Sequence, residues 1–112
     1  MNAATTDPAP VQEKFFALGE PVRLSIVNRL AVGPATAGEL AAPFNISRPA
    51  ISRHLRLLRE AGIARAEVRG REWWYTLEPG TLIEMQGYLE EVNQMWQAAL
   101  GSLKNYVEED NG

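Results

Sequence analysis

At 112 residues and 46% hydrophobic content the chain has room for one ordered domain, with little left for a scaffold and a catalytic cleft together. Zero cysteines exclude disulfides and thiolate metal ligands, and a single histidine, His54, leaves no zinc framework of the usual kind. The net charge of −3 conceals a balance of +4 from Arg48 to Leu77 and −6 from Glu78 onward, which suits one surface to an anion and one helix to solvent or a partner.

Residues 1–10 carry prolines and small polar side chains and read as a flexible N-terminal tail. The start, MNAATTDPAPVQEK, lacks the basic and apolar regions of a signal peptide, and no apolar run approaches the roughly 18 residues of a membrane span. The expectation is a cytoplasmic protein with no membrane association. Val11 to Leu18 offers a short amphipathic helix whose apolar residues include Phe15, Phe16 and Leu18. Pro21 suits the first turn of a second helix, with Val22, Ile26, Val27 and Leu30 on one face, ending before Gly33 and Pro34.

Thr36 to Glu39 fits a capping box that opens a short helix reaching to about Ala42, where Pro43 closes it. Ser47 is a good N-cap for the next helix, which runs to about Ala61 with Gly62 as its stop. Ile51, Leu55 and Leu58 recur at helical spacing and face inward, while Arg48, Ser52, Arg53, Arg56 and Arg59 lie mostly on the other side. Two strands follow, about Ile63 to Val68 and Glu72 to Leu77, joined where Gly70 can take the positive φ of a tight hairpin. A long helix spans Thr81 to about Val107. Residues 11–107 thus form the domain and residues 108–112 an acidic C-terminal tail.

The expected fold is mainly α (α+β): a winged helix-turn-helix with a two-stranded β-hairpin wing and a long C-terminal dimerisation helix. Two short helices joined by a tight turn let the second enter the major groove of double-stranded DNA, its N-terminal residues on base edges. Ser47, Arg48, Ser52, Arg53 and Arg56 occupy that end and its outer face, and an arginine fork can bond both O6 and N7 of guanine. Arg69 and Arg71 flank the hairpin tip and suit the negative potential of a neighbouring minor groove. His54 has no second soft ligand near it in sequence, so it joins the DNA-binding candidates as a DNA-proximal or interhelical contact.

In the last helix Leu82, Met85, Leu89, Val92, Trp96, Ala99, Leu103 and Tyr106 alternate spacings of three and four, an a/d heptad seam. A helix so long overshoots a domain of this size, and a lone copy would expose an apolar strip. A homodimer removes the difficulty. Nothing points to a cofactor, a metal site or catalysis: there is no cysteine nucleophile, no glycine-rich phosphate loop and no triad around one histidine. An alternative class is a protein-interaction module, or the DNA-binding partner of a separate sensor protein.

The run ISRPAISRHLRLLREAGI with VRGREWWYTL downstream resembles the ArsR/SmtB family of winged-helix regulators, and FFALGEPVRLSIVNRLAVGPATAGELAAPF matches that family's preceding helices. The resemblance implies a transcriptional regulator, most simply a repressor, whose dimer forms through the first and last helices on a partly palindromic operator. It adds Phe15 to the interface candidates Leu82, Met85, Leu89, Val92, Trp96 and Leu103. Metal-sensing members carry Cys-x-Cys on the first helix of the helix-turn-helix, or Asp, His and Glu ligands on the last helix. Here Thr36 and Gly38 stand where the cysteines would be, and the last helix has no histidine. The run AGELAAPFNISRP is similar to the metal-independent, SdpR-like branch.

Overall fold

The computed structural model describes residues 10–111, with side chains through residue 109. The expected N-terminal tail therefore falls almost wholly outside the described residues. Two helices open the chain, α1 (Val11–Leu18) and α2 (Pro21–Leu30), the second with proline in its first turn and Glu20 accepting from the Arg23 amide at 2.8 Å. A two-residue strand, β1 (Ala35–Thr36), leads into α3 (Ala37–Ala41), and α4 (Arg48–Glu60) completes the helix-turn-helix. The hairpin β2 (Ala64–Arg69) and β3 (Glu72–Leu77) follows, and α5 (Pro79–Asn111) ends the chain.

Local chemistry explains the boundaries. The Thr36 hydroxyl accepts from the Glu39 amide at 3.1 Å, and the Glu39 carboxylate accepts from the Thr36 amide at 2.9 Å, a closed capping box. The Thr36 amide, and then its hydroxyl, hold the Glu39 carboxyl below the usual carboxylate range. Ser47 caps α4 by accepting from the Ala50 amide at 3.3 Å. At the other end Gly62, with φ +76°, donates to the Arg59 carbonyl while Ile63 donates to Leu58, both at 3.0 Å. Those two bonds satisfy carbonyls a helix end otherwise leaves open. Gly70, at φ +65°, and Arg71 turn the hairpin, with Arg69 opposite Glu72.

The sheet has three strands in the order β1-β3-β2, all neighbours antiparallel, with Ala35 opposite Tyr75 and Thr36 opposite Trp74. The sequence reading has only the hairpin, because two residues carry no alternation to detect. The last helix begins two residues earlier than expected, since proline is tolerated in a first turn, and it continues to Asn111. Ile26, Leu30, Leu40, Ile51, Leu55, Leu58, Ile63 and Tyr75 form one core where α2, α3 and α4 meet the sheet.

Helix α1 presents a different face from the one its hydrophobicity suggests. Phe16 is 72% exposed, whereas Lys14 is 2% exposed. The Lys14 ammonium donates to the Ala61 carbonyl at 3.0 Å and lies 3.6 Å from a Glu84 carboxylate oxygen. Its stem fills apolar space while its head serves the end of α4, where the helix dipole is negative. Arg23 is also buried, its Nε donating to the Ala17 carbonyl at the end of α1 at 2.7 Å, with its guanidinium 5.7 Å from the Phe16 ring centre.

Candidate nucleic-acid interface

The amphipathic division of α4 sets the geometry of the site. Ile51, Leu55 and Leu58 fasten one face into the core, which leaves Ser47, Arg48, Ser52, Arg53, Arg56 and Arg59 exposed on the other. Arg56 lies 4.0 Å from Glu60 one turn on, an exposed contact of little energetic weight. Arg48 and Arg53 have no ion-pair partner among the described residues, so their guanidinium forks remain open to an external acceptor.

His54 sits between helices. Its Nδ1 is 3.0 Å from Arg23 Nη1 and 3.8 Å from a Glu20 carboxylate oxygen. Arginine can only donate, so Nδ1 is the acceptor in its contact with Arg23. Of the two roles expected for His54, the structure displays the interhelical one, tying α4 to α2.

The wing divides its arginines. Arg69 Nη2 lies 2.6 Å from a Glu67 carboxylate oxygen, and the guanidinium covers the Trp74 ring at 5.3 Å. Arg71 is exposed and has no ion pair among the described residues. The two tip arginines, alike in sequence, therefore differ in availability.

The interface candidates also divide. Met85 is 4% exposed within its own chain and anchors α5 to the domain. Leu82 and Val92 are half-buried, and Leu89, Trp96 and Leu103 are exposed. Phe15 is half-buried and packs on Tyr88 with ring centres 5.6 Å apart at 49°, which seats α1 against the base of α5. A shallow apolar groove lined by Val11, Phe15, Tyr88 and Leu89 runs along this junction. Sequence reasoning missed the buried cations Lys14 and Arg23. Among the described residues no three His, Asp or Glu side chains gather as a metal site, and no helix is long and apolar enough to cross a membrane.

Comparison with known proteins identifies this arrangement. Residues 20–66 match the family described as bacterial regulatory protein, arsR family. The HTH-type transcriptional regulator Rv2034 of Mycobacterium tuberculosis is 33% identical over 94 residues, spanning 84% of this chain and 85% of that protein. The transcriptional repressor SdpR of Bacillus subtilis is 38% identical over 68 residues, 61% of this chain and 76% of that one. Among solved structures, an ArsR-like transcriptional regulator from Rhodococcus sp. RHA1 superposes with a TM-score of 0.73 at 28% identity, covering 85% of this chain and 90% of that chain. The chain belongs to the arsR family of bacterial regulatory proteins, winged helix-turn-helix transcriptional regulators that bind DNA and are not enzymes.

Proposed function

We propose that the protein is a sequence-specific repressor, active in the cytoplasm as a homodimer on a partly palindromic operator. One observation carries the reading. Arg48 and Arg53 stand exposed on the outer face of α4, near its start, with no ion pair among the described residues. Arg53 reads a guanine edge, Ser47, Ser52 and Arg48 contact phosphate or base, and Arg56 lies farther along the same face. On the wing Arg71 takes the phosphate role, and Arg69 joins it only by releasing Glu67. His54 acts by holding α4 against α2.

The dimer brings together the exposed stripe of α5, chiefly Leu89, Val92, Trp96 and Leu103, with Leu82 and Phe15 at its base and Met85 supporting it from inside. Residues 11–107 make up the DNA-binding and dimerisation unit, between an N-terminal tail and the acidic residues 108–112. A binding site is selected from random-sequence duplexes, and Arg53→Ala is then compared with the wild type on it. The expected loss is about 1–3 kcal/mol per half-site, with relaxed preference at one base position. Should Arg53→Ala bind selected and scrambled duplexes as the wild type does, α4 is not the reader and a protein-interaction role takes precedence.

A further inference from the structure

The charges of the hairpin cancel. From Arg65 to Glu78 three arginines, Arg65, Arg69 and Arg71, accompany three glutamates, Glu67, Glu72 and Glu78. Arg65 lies 3.8 Å from Glu78 and Arg69 2.6 Å from Glu67, so two of the three cations are engaged within the hairpin. A hairpin so balanced releases few counterions, and its grip on a polyanion needs another source.

The opposite face of the sheet supplies one. Directly opposed residues share a face and successive residues alternate, which groups Ala64, Ala66 and Val68 with Leu77, Tyr75 and Trp73. This is the core-facing side: Ala64 and Tyr75 are buried, and Ala66 and Leu77 pack partly buried against the core. Val68 and Trp73 are the next pair outward, where the helical body has ended, and they are 55% and 50% exposed. At its base this face packs on α4 through β2 and on α2 and α3 through β3, and the Val68–Trp73 pair lies beyond that contact. Beside it stands Arg71, the hairpin's one arginine with no ion pair among the described residues.

We propose that Trp73, backed by Val68, is the wing's principal DNA contact, an apolar wedge against the sugar edges of the minor groove flanking the α4 site. This rests on the DNA-binding reading of α4. A half-exposed indole offers a large apolar area at little conformational cost, and apolar side chains set into minor grooves are an established mode of binding. Arg71 anchors the wedge to a phosphate. The contact is desolvation-driven and therefore contributes affinity with little dependence on salt, in contrast to the arginines of α4.

The test measures affinity for a duplex selected by the wild-type protein, at several salt concentrations. Trp73→Ala is expected to bind roughly tenfold more weakly per half-site with the slope of log affinity against log salt unchanged, and Trp73→Phe to recover most of the loss. Arg71→Ala is expected to lower that slope by about one per half-site. In a Trp74→Phe, Trp96→Phe background the remaining Trp73 emission is expected to change on adding the duplex. Trp73→Ala binding like the wild type, Trp73→Ala lowering the salt slope as Arg71→Ala does, or Trp73 emission indifferent to DNA overturns the wedge. If Trp73→Ala alone is silent while Arg53→Ala loses binding, the wedge fails and the reading of α4 stands. A wild type that selects no duplex sinks both.

Discussion

Replacing Lys14 by methionine isolates the value of a buried cation at a helix end. The side chain is 2% exposed, and its ammonium donates to the Ala61 carbonyl at 3.0 Å, with the half-exposed Glu84 carboxylate 3.6 Å away. Methionine keeps a stem of similar length, so packing is nearly conserved. What disappears is a charge-assisted hydrogen bond worth about 1.5–3 kcal/mol, together with about 0.3–1 kcal/mol of helix-dipole attraction. Against this, the unfolded chain no longer has to surrender the hydration of an ammonium, which offsets part of the loss. The expected result is a destabilisation of about 2 kcal/mol. Lys14→Ala also removes three methylenes at about 0.8 kcal/mol each, for a total near 4 kcal/mol. Urea unfolding at one fixed protein concentration, with the slope m checked for constancy, measures both. A Lys14→Met protein as stable as the wild type refutes the argument, because desolvation would then cancel the bond entirely.

Gly62→Ala forces a side chain into φ +76° and sets its Cβ 3.1 Å from the Lys14 ammonium. A loss of at least about 1 kcal/mol in the same unfolding assay is expected, and a neutral result contradicts the tight cap. Glu39 is held ionised by the amide and hydroxyl of Thr36, so its folded pKa lies below its unfolded one. Its stabilisation is therefore present above the unfolded value and lost as pH falls through the folded one. The stability gap between wild type and Glu39→Gln is expected to shrink from neutral pH to about pH 3, and a gap independent of pH removes the carboxylate from the cap. Trp96→Glu places a charge on the exposed stripe of α5 and is expected to turn a dimer into a monomer in sedimentation, with α4 still folded. A wild type that sediments as a monomer at about micromolar concentration defeats the dimer model.

Features set by chemistry within a few residues were legible in advance. The Thr36–Glu39 box, the Ser47 cap, the Gly62 stop and the Gly70 turn each follow from what one side chain, or its absence, does to its own backbone. The inward triad Ile51, Leu55 and Leu58 was legible from spacing alone, and with it the outward arginines. Features that depend on a distant partner were not. Strand β1 exists because Tyr75 and Trp74 offer it a ladder. Lys14 was hidden by its charge, although it lies three residues after Val11 and four before Leu18, in the centre of the apolar stripe. Arg23 likewise lies on an apolar stripe, three residues before Ile26 and four before Val27. A cation on such a stripe near a helix end signals a buried donor to carbonyls. Arg69 looked equal to Arg71 because the pull of Glu67 and the shelf of Trp74 emerge only once the hairpin register is known.

Thr36 belongs to two parts of the molecule at once. It pairs with Trp74 in the sheet and caps α3, and it is 8% exposed. Through this one residue the base of the hairpin is tied to the start of the helix-turn-helix, and on the proposed DNA-binding reading α4 and the wing act together like the arms of a caliper. A duplex gripped by both arms must bring its grooves to the protein's spacing. Any bending or narrowing that such a grip required would fall on the DNA, at an energy set by the stiffness of the base steps between the two contacts. Sequence preference would then emerge at base pairs that no side chain touches.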